Sequence, residues 1–296
     1  MTLQFAKGVA PHSATLFLFV LYYSFLYLTS MAAILIDGKK IAQGILDDLK
    51  ARVASLRKSG RQPRLAVFLI GHNPASESYV NVKRKCAAKV GIEVEIKNHP
   101  EATTEEKLIR EIKLVNQRAD ISGILVQLPL PPHLDKQRVL GAIDPKLDVE
   151  AHSPAAAAVR YILSTLPIDL KSKKILIIGS GDLVGRPLAE ILNRENLDLR
   201  VATRQTENLE EVAKTADVIV TGTGHAGLVR AGMVKAGAVV VDAGTTGSED
   251  GSVVGDVDFE GVSKKAGYLS PVPGGVGPVT VAMLLRAVVD NTERKL

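Results

Sequence analysis

From residue 65 to residue 244 the chain repeats one pattern, a short apolar run, a turn and a stretch of helical period. The strand candidates are LAVFLI (65–70), a continuous apolar run, EVEIK (93–97), GILVQL (123–128), the start of KILIIGSGDLVGRPLAEIL (174–192), LDLRVA (197–202), ADVIVTG (216–222) and AVVVDAG (238–244). Continuous apolar runs suit strands covered on both faces, and their alternation with helices predicts an α/β fold with a mostly parallel sheet. Helices are expected over 76–90, 104–118 and 155–166, and again after the ribbon SPVPGGVGPVT (270–280). AIDPKLDVEAHSP (142–154) breaks the rhythm with two prolines and reads as a linker. The boundary falls there, giving units at 31–150 and 151–276, and 296 residues suffice for two cores.

The first thirty residues do not fit this pattern. They hold Phe5, Phe17, Phe19, Tyr22, Tyr23, Phe25 and Tyr27, more than half of the six Phe and six Tyr in the chain. No charge occurs from Ala14 to Ile36, a length that could span a bilayer, and Lys7 is the only lysine or arginine before it. A membrane anchor, a signal peptide and translated sequence upstream of the true start compete. Met31 opens MAAILIDGKKIAQGIL, a strand-turn-helix start typical of a soluble enzyme, which favours the misplaced start over an anchor.

Composition narrows the function classes. A net charge of +5, spread along the chain, describes solvated surface rather than a nucleic-acid patch. Cys86 is the single cysteine, so no internal disulfide or Cys-rich zinc site can form, as suits a reducing, cytoplasmic setting. The six histidines show no metal-ligand spacing, and no metal is expected.

Three short stretches carry chemistry. GSGDLVG, with Gly179, Ser180, Gly181 and Gly185, follows an apolar strand and opens a helix. Its glycines let the backbone approach a pyrophosphate, which the helix N-terminus would bind; a plain tight turn is the competing reading. After the next strand, VATRQT offers Arg204 and no acid, which favours the 2′-phosphate of NADP over the ribose hydroxyl of NAD, unless Arg204 is merely exposed. In SYVNVKRKC, Tyr79 and Lys83 lie four apart and share a helix face. A lysine neutralised by burial can act as general base beside a stacking tyrosine, although an exposed helix face would show the same spacing. VQLPLPP (126–132) places Gln127 at a strand end, where ligands sit in open α/β sheets and where a surface amide would also be unremarked.

These stretches, with VVGDVDF (253–259) and PVPGGVGPVT, occur in one order that resembles the bifunctional methylenetetrahydrofolate dehydrogenase/methenyltetrahydrofolate cyclohydrolase family from about Met31 to about Asn291. The resemblance implies a folate-binding catalytic domain, a Rossmann-type NAD(P) domain, and a C-terminal helix (277–296) that returns to the first domain. It implies a homodimer acting on tetrahydrofolate derivatives. Tyr79 would stack on the folate, Lys83 would be the catalytic lysine and Gln127 would hold it. Asp148, Glu150, Pro273, Gly274 and Gly275 would line the folate site, and Thr223 and Gly224 would join the glycine turn and Arg204 around the cofactor.

The chain departs from the family pattern at several places. Glu150 stands where an aspartate is usual, and Ser180 where an arginine can grip a 2′-phosphate. Val279 replaces a common methionine, and Ala151-His152-Ser153-Pro154 follows where a longer loop is expected. A dehydrogenase with weakened cyclohydrolase activity, or a folate- or nucleotide-binding protein without turnover, are the alternatives these departures raise.

Overall fold

The computed structural model describes residues 32–247 and 253–295; the reading of the leader falls on residues outside these. Strand β1 (Ile34–Leu35) leads into α1 (Gly38–Lys58), capped by the Asp37 carboxylate, which accepts from the Lys40 N–H at 3.0 Å. Then come β2 (Arg64–Ile70), α2 (Pro74–Val90), β3 (Glu93–His99), α3 (Glu105–Asn116), β4 (Gly123–Val126) and the short α4 (Lys136–Leu140). The second half runs α5 (Pro154–Thr165), β5 (Ile175–Ile178), α6 (Gly185–Arg194), β6 (Leu199–Ala202), α7 (Leu209–Lys214), β7 (Val218–Thr221) and β8 (Val239–Asp242). β9 (Thr246–Gly247), β10 (Val253–Val254), α8 (Phe259–Ser263), β11 (Tyr268–Leu269) and α9 (Val276–Arg294) complete it.

Two parallel sheets result. The first has the order β3-β2-β4, and the second the order β1-β11-β8-β7-β5-β6. β2, β4, β5, β7 and β8 are almost entirely buried, which accounts for their unbroken apolar runs. The α/β reading therefore stands, with two differences of detail. β1, expected to open the first unit, pairs instead with β11 at the edge of the second sheet. The segment expected as a linker extends the first sheet, because the Ile124 N–H donates to the Leu147 carbonyl at 2.7 Å and Ile124 bridges Asp148.

α9 packs against α1, α2, α5 and β4. Its Leu285, Val288 and Val289 are fully buried in a core that also takes Leu49 and Val53 of α1, Val67 of β2, Ile162 of α5 and Ile177 of β5. One apolar interior thus runs through both units. The outer faces of the two sheets close separate clusters, around Phe68 and Ile112 in the first and Ile219 and Val262 in the second. Among the described residues no helix is long and apolar enough to cross a membrane.

Candidate functional site

α2 begins with Pro74 in its first turn and an Asn73 cap that accepts from the Ser76 N–H at 3.0 Å, and ends at Gly91 with φ 89°. Its buried residues are Ser76, Val80, Lys83, Ala87 and Val90, at the 3–4 spacing of an apolar stripe. Lys83 occupies a core position in that stripe. Its ammonium donates to the Gln127 side-chain oxygen at 3.1 Å and lies 3.7 Å from a Glu150 carboxylate oxygen. The Gln127 amide nitrogen donates to the Leu128 carbonyl at 2.8 Å, which turns the oxygen toward the lysine. Ser76 donates to that same carbonyl at 3.2 Å and ties the start of α2 to the strand end.

Burial pushes the Lys83 ammonium below the ordinary lysine range, and the Glu150 carboxylate pushes it partly back. Burial likewise raises the Glu150 carboxyl, against the lowering effect of Lys83. The Tyr79 ring, one turn earlier on α2, has its centroid 5.9 Å from the ammonium while the residue stays 51 % exposed. A large aromatic face left open beside a buried amine offers a platform for a flat ligand. Asp148 plays a different part: its carboxylate accepts from the Glu150 N–H at 2.8 Å, holding the turn that presents Glu150. Only Glu150 to Ser153 separate this sheet from α5 in the second unit. Ser153, at φ 44°, caps α5 by accepting from the Ala156 N–H at 3.1 Å.

In the second sheet β5 leads to β6 on one side and to β7 on the other, so the loops after β5 and β7 flank a topological switch point. Gly179 leaves β5 at φ 99°, and a Cβ on Gly185 would lie 2.0 Å from the Gly179 carbonyl oxygen, so only glycine permits this turn. α6 starts behind it after Val184 with no side-chain cap; the Arg186 N–H donates to the Gly181 carbonyl at 3.1 Å and Pro187 has none, so Gly185 is the first-turn residue whose N–H faces an anion. Ser180 and Gly181 are exposed at the turn's tip. Thr223 packs on Gly179 from the loop after β7, where a Cβ on that glycine would meet the Thr223 methyl at 3.0 Å. Exposed Arg204, after β6, reaches the His225 ring at 3.5 Å, next to Gly224. The structure thus gathers Gly179, Thr223 and Arg204 along one rim. It also draws in His225, which the sequence did not single out because nothing local distinguishes it from a surface histidine.

The ribbon connects the two units. The Gly275 N–H donates to the Pro271 carbonyl at 2.8 Å, and Gly274 takes φ 109° beyond the cis Val272–Pro273 bond. A Cβ on Gly38, at the start of α1, would lie 1.7 Å from the Gly275 oxygen. The glycines therefore allow two backbones to touch.

A sequence model described as the tetrahydrofolate dehydrogenase/cyclohydrolase catalytic domain matches residues 36–150, and its NAD(P)-binding counterpart matches residues 153–296. The chain belongs to the tetrahydrofolate dehydrogenase/cyclohydrolase family. The bifunctional protein FolD of Nautilia profundicola is 41% identical over 271 residues, covering 86% of this chain and 95% of that protein. The crystal structure of the bifunctional FolD enzyme of Campylobacter jejuni superposes with a TM-score of 0.86 at 38% identity, over 90% of this chain and all of the other. The Trypanosoma brucei family member, solved with NADP and an inhibitor, has a TM-score of 0.84 at 35% identity over 90% of this chain and 99% of its own.

Proposed function

We propose that this chain oxidises 5,10-methylenetetrahydrofolate with NADP and hydrolyses the resulting methenyl cation to 10-formyltetrahydrofolate. The observation that carries this function is the buried Lys83 ammonium bonded to Gln127 beside the open Tyr79 ring. The glycine turn fits NADP on its own evidence, since a close-packed turn backs onto an uncapped helix start and a cationic side chain stands at the end of the next strand. When bound, NADP accepts the hydride from the methylene carbon. Gly179, Ser180, Gly181 and Gly185 would cradle its pyrophosphate, Thr223 and Gly224 would border it, and Arg204 would meet its 2′-phosphate.

The protein's work in the oxidation is placement: Tyr79 stacks on the pterin, and Glu150 and the Pro273–Gly275 ribbon fix its edge, so that the methylene carbon faces the second unit. In the hydrolysis, a water oxygen bonds to the methenyl carbon while Lys83 takes its proton. The remaining hydroxyl proton then leaves to solvent as the carbon–oxygen double bond forms and the bond from that carbon to N5 breaks, and the proton held by Lys83 passes to N5. Burial favours the neutral amine that this step requires, and Gln127 aims its lone pair by accepting one of its N–H bonds. A homodimer, a cytoplasmic setting and division into a folate unit at 31–150 and a cofactor unit at 151–276 belong to the same proposal, supported by the family likeness. A spectrophotometric assay with methylenetetrahydrofolate tests the activity, following reduced cofactor and methenyltetrahydrofolate together with NADP and with NAD. Formation of reduced NADP with only transient methenyltetrahydrofolate is expected; absence of both signals refutes the function.

A further inference from the structure

The mechanism above leaves one fully buried carboxylate without a part. Asp256 follows β10 in VVGDVDF and has no exposed surface. Its oxygens accept from the Thr221 hydroxyl at 2.8 Å, the Thr223 N–H at 2.6 Å, the Thr223 hydroxyl at 2.9 Å and the His225 N–H at 2.9 Å. A carboxylate is withdrawn from water only where such donors replace its hydration, so the residue and the end of β7 with its loop hold each other.

Asp256 is itself anchored. The Asp256 and Val257 N–H groups donate to the Asp242 carboxylate at 3.2 and 2.9 Å, and the Gly244 N–H does so at 2.9 Å. Asp242 ends β8 and is buried, and its own N–H donates to the Ser270 hydroxyl at 2.7 Å. Two acids in series therefore fasten the loop after β7 to the middle of the second sheet.

What the fastened loop presents is the His225 ring. Its Nδ1 lies 3.0 Å from the Thr223 carbonyl oxygen. A carbonyl only accepts, so Nδ1 carries the proton and Nε2 offers a lone pair. That lone pair faces the Arg204 guanidinium at 3.5 Å. An exposed arginine loses side-chain freedom when it grips a ligand, and a partner that holds it beforehand reduces that loss.

We propose that Asp256 is a positioning residue for NADP selectivity: through Thr223 and His225 it holds Arg204 where the 2′-phosphate binds. The proposal rests on the function given above, with Arg204 as the phosphate contact. The test is steady-state kinetics of Asp256→Asn with NADP and with NAD, beside cyclohydrolase activity on supplied methenyltetrahydrofolate. The asparagine keeps the shape but turns an NH₂ toward the loop's donors. KM for NADP should rise about tenfold, with kcat and the KM for NAD each within about twofold of wild type and cyclohydrolase activity retained. His225→Ala keeps the backbone and changes only an exposed ring, and it should lower the NADP/NAD preference similarly.

An unchanged cofactor preference in a folded Asp256→Asn protein overturns the proposal, as does a parallel fall of NADP use, NAD use and cyclohydrolase activity, which marks a general structural role. If that variant does not fold, His225→Ala decides, and an unchanged preference there overturns it. A wild-type protein lacking both activities refutes the proposed function instead, so the two failures are distinct.

Discussion

The Lys83 ammonium stands 3.7 Å from the Glu150 carboxylate, and the two groups push each other toward their charged forms while burial pushes both toward neutrality. The general base must be neutral, so hydrolysis should rise with pH as Lys83 loses its proton. Glu150→Gln removes the anion that favours the ammonium and leaves the burial that disfavours it. The rising limb of the cyclohydrolase kcat/KM profile, which reports the free enzyme, should therefore move to lower pH. Any loss of folate contact through the glutamine would change the height of the profile rather than the position of its limb. A limb that stayed in place would show that Glu150 does not control the charge of Lys83.

Lys83→Met separates the two reactions. Hydride transfer needs aligned rings and no proton acceptor, whereas hydration needs a base whose removal typically costs roughly 10²–10⁴-fold. Cyclohydrolase activity should fall by that order and dehydrogenase activity far less, so that methenyltetrahydrofolate accumulates during turnover. Stopped-flow absorbance of the intermediate reads the difference. Full retention of hydrolysis would remove Lys83 from the chemistry.

Arg204→Ala should weaken NADP roughly tenfold to a hundredfold, the range for loss of a charge-assisted phosphate contact of about 1.5–3 kcal/mol. Ser180 supplies no second cation from the glycine turn, so NAD should be nearly unaffected. Cofactor titrations with each nucleotide measure this, and equal losses would make the arginine structural.

Stability should depend on how α9 is fastened. Arg52 of α1 donates to Glu293 at 3.0 and 2.7 Å and to Asp290 at 2.5 Å. Arg52→Met breaks these bonds across a partly solvated surface, so about 1–2 kcal/mol should be lost, read as a lower Tm. The hydrogen bond from Arg52 holds Glu293 below the ordinary glutamate range. Its contribution is therefore present above the unfolded carboxyl's pKa and disappears as pH falls through the lower folded value. The Tm gap between wild type and variant should be open at neutral pH and narrow in acid.

The sequence made the long elements legible, because β2, β5 and β7 are apolar but for Arg64 and Thr221 at their ends and α2 and α3 keep a helical period. β1, β9, β10 and β11 have two residues each, too few for any period to show. The pairing of β1 with β11 joins the two ends of the fold, which no local pattern records. Of the site, Tyr79 and Lys83 were readable as a pair four apart on one helix face and Gln127 as an amide at a strand end, while the roles expected of them came from the family resemblance; the burial of Lys83 was not legible. The hold of Asp256 on Thr223 and His225 was hidden, since the crossover between them has no sequence signature.

The contact between Gly38 and Gly275 has a mechanical meaning. β1 and β11 lie side by side and parallel in the second sheet; each then runs into a helix, α1 and α9, and those helices pack together in the first unit. The chain crosses between the units there as a two-ply strap, its plies pressed together where Gly38 meets Gly275. The third crossing, at Glu150–Ser153, sets Glu150 beside Lys83, so the strap, that crossing and the shared core together fix how the two units meet around the amine. The place of the Lys83 amine is thereby set by the joint between the units as much as by its own helix.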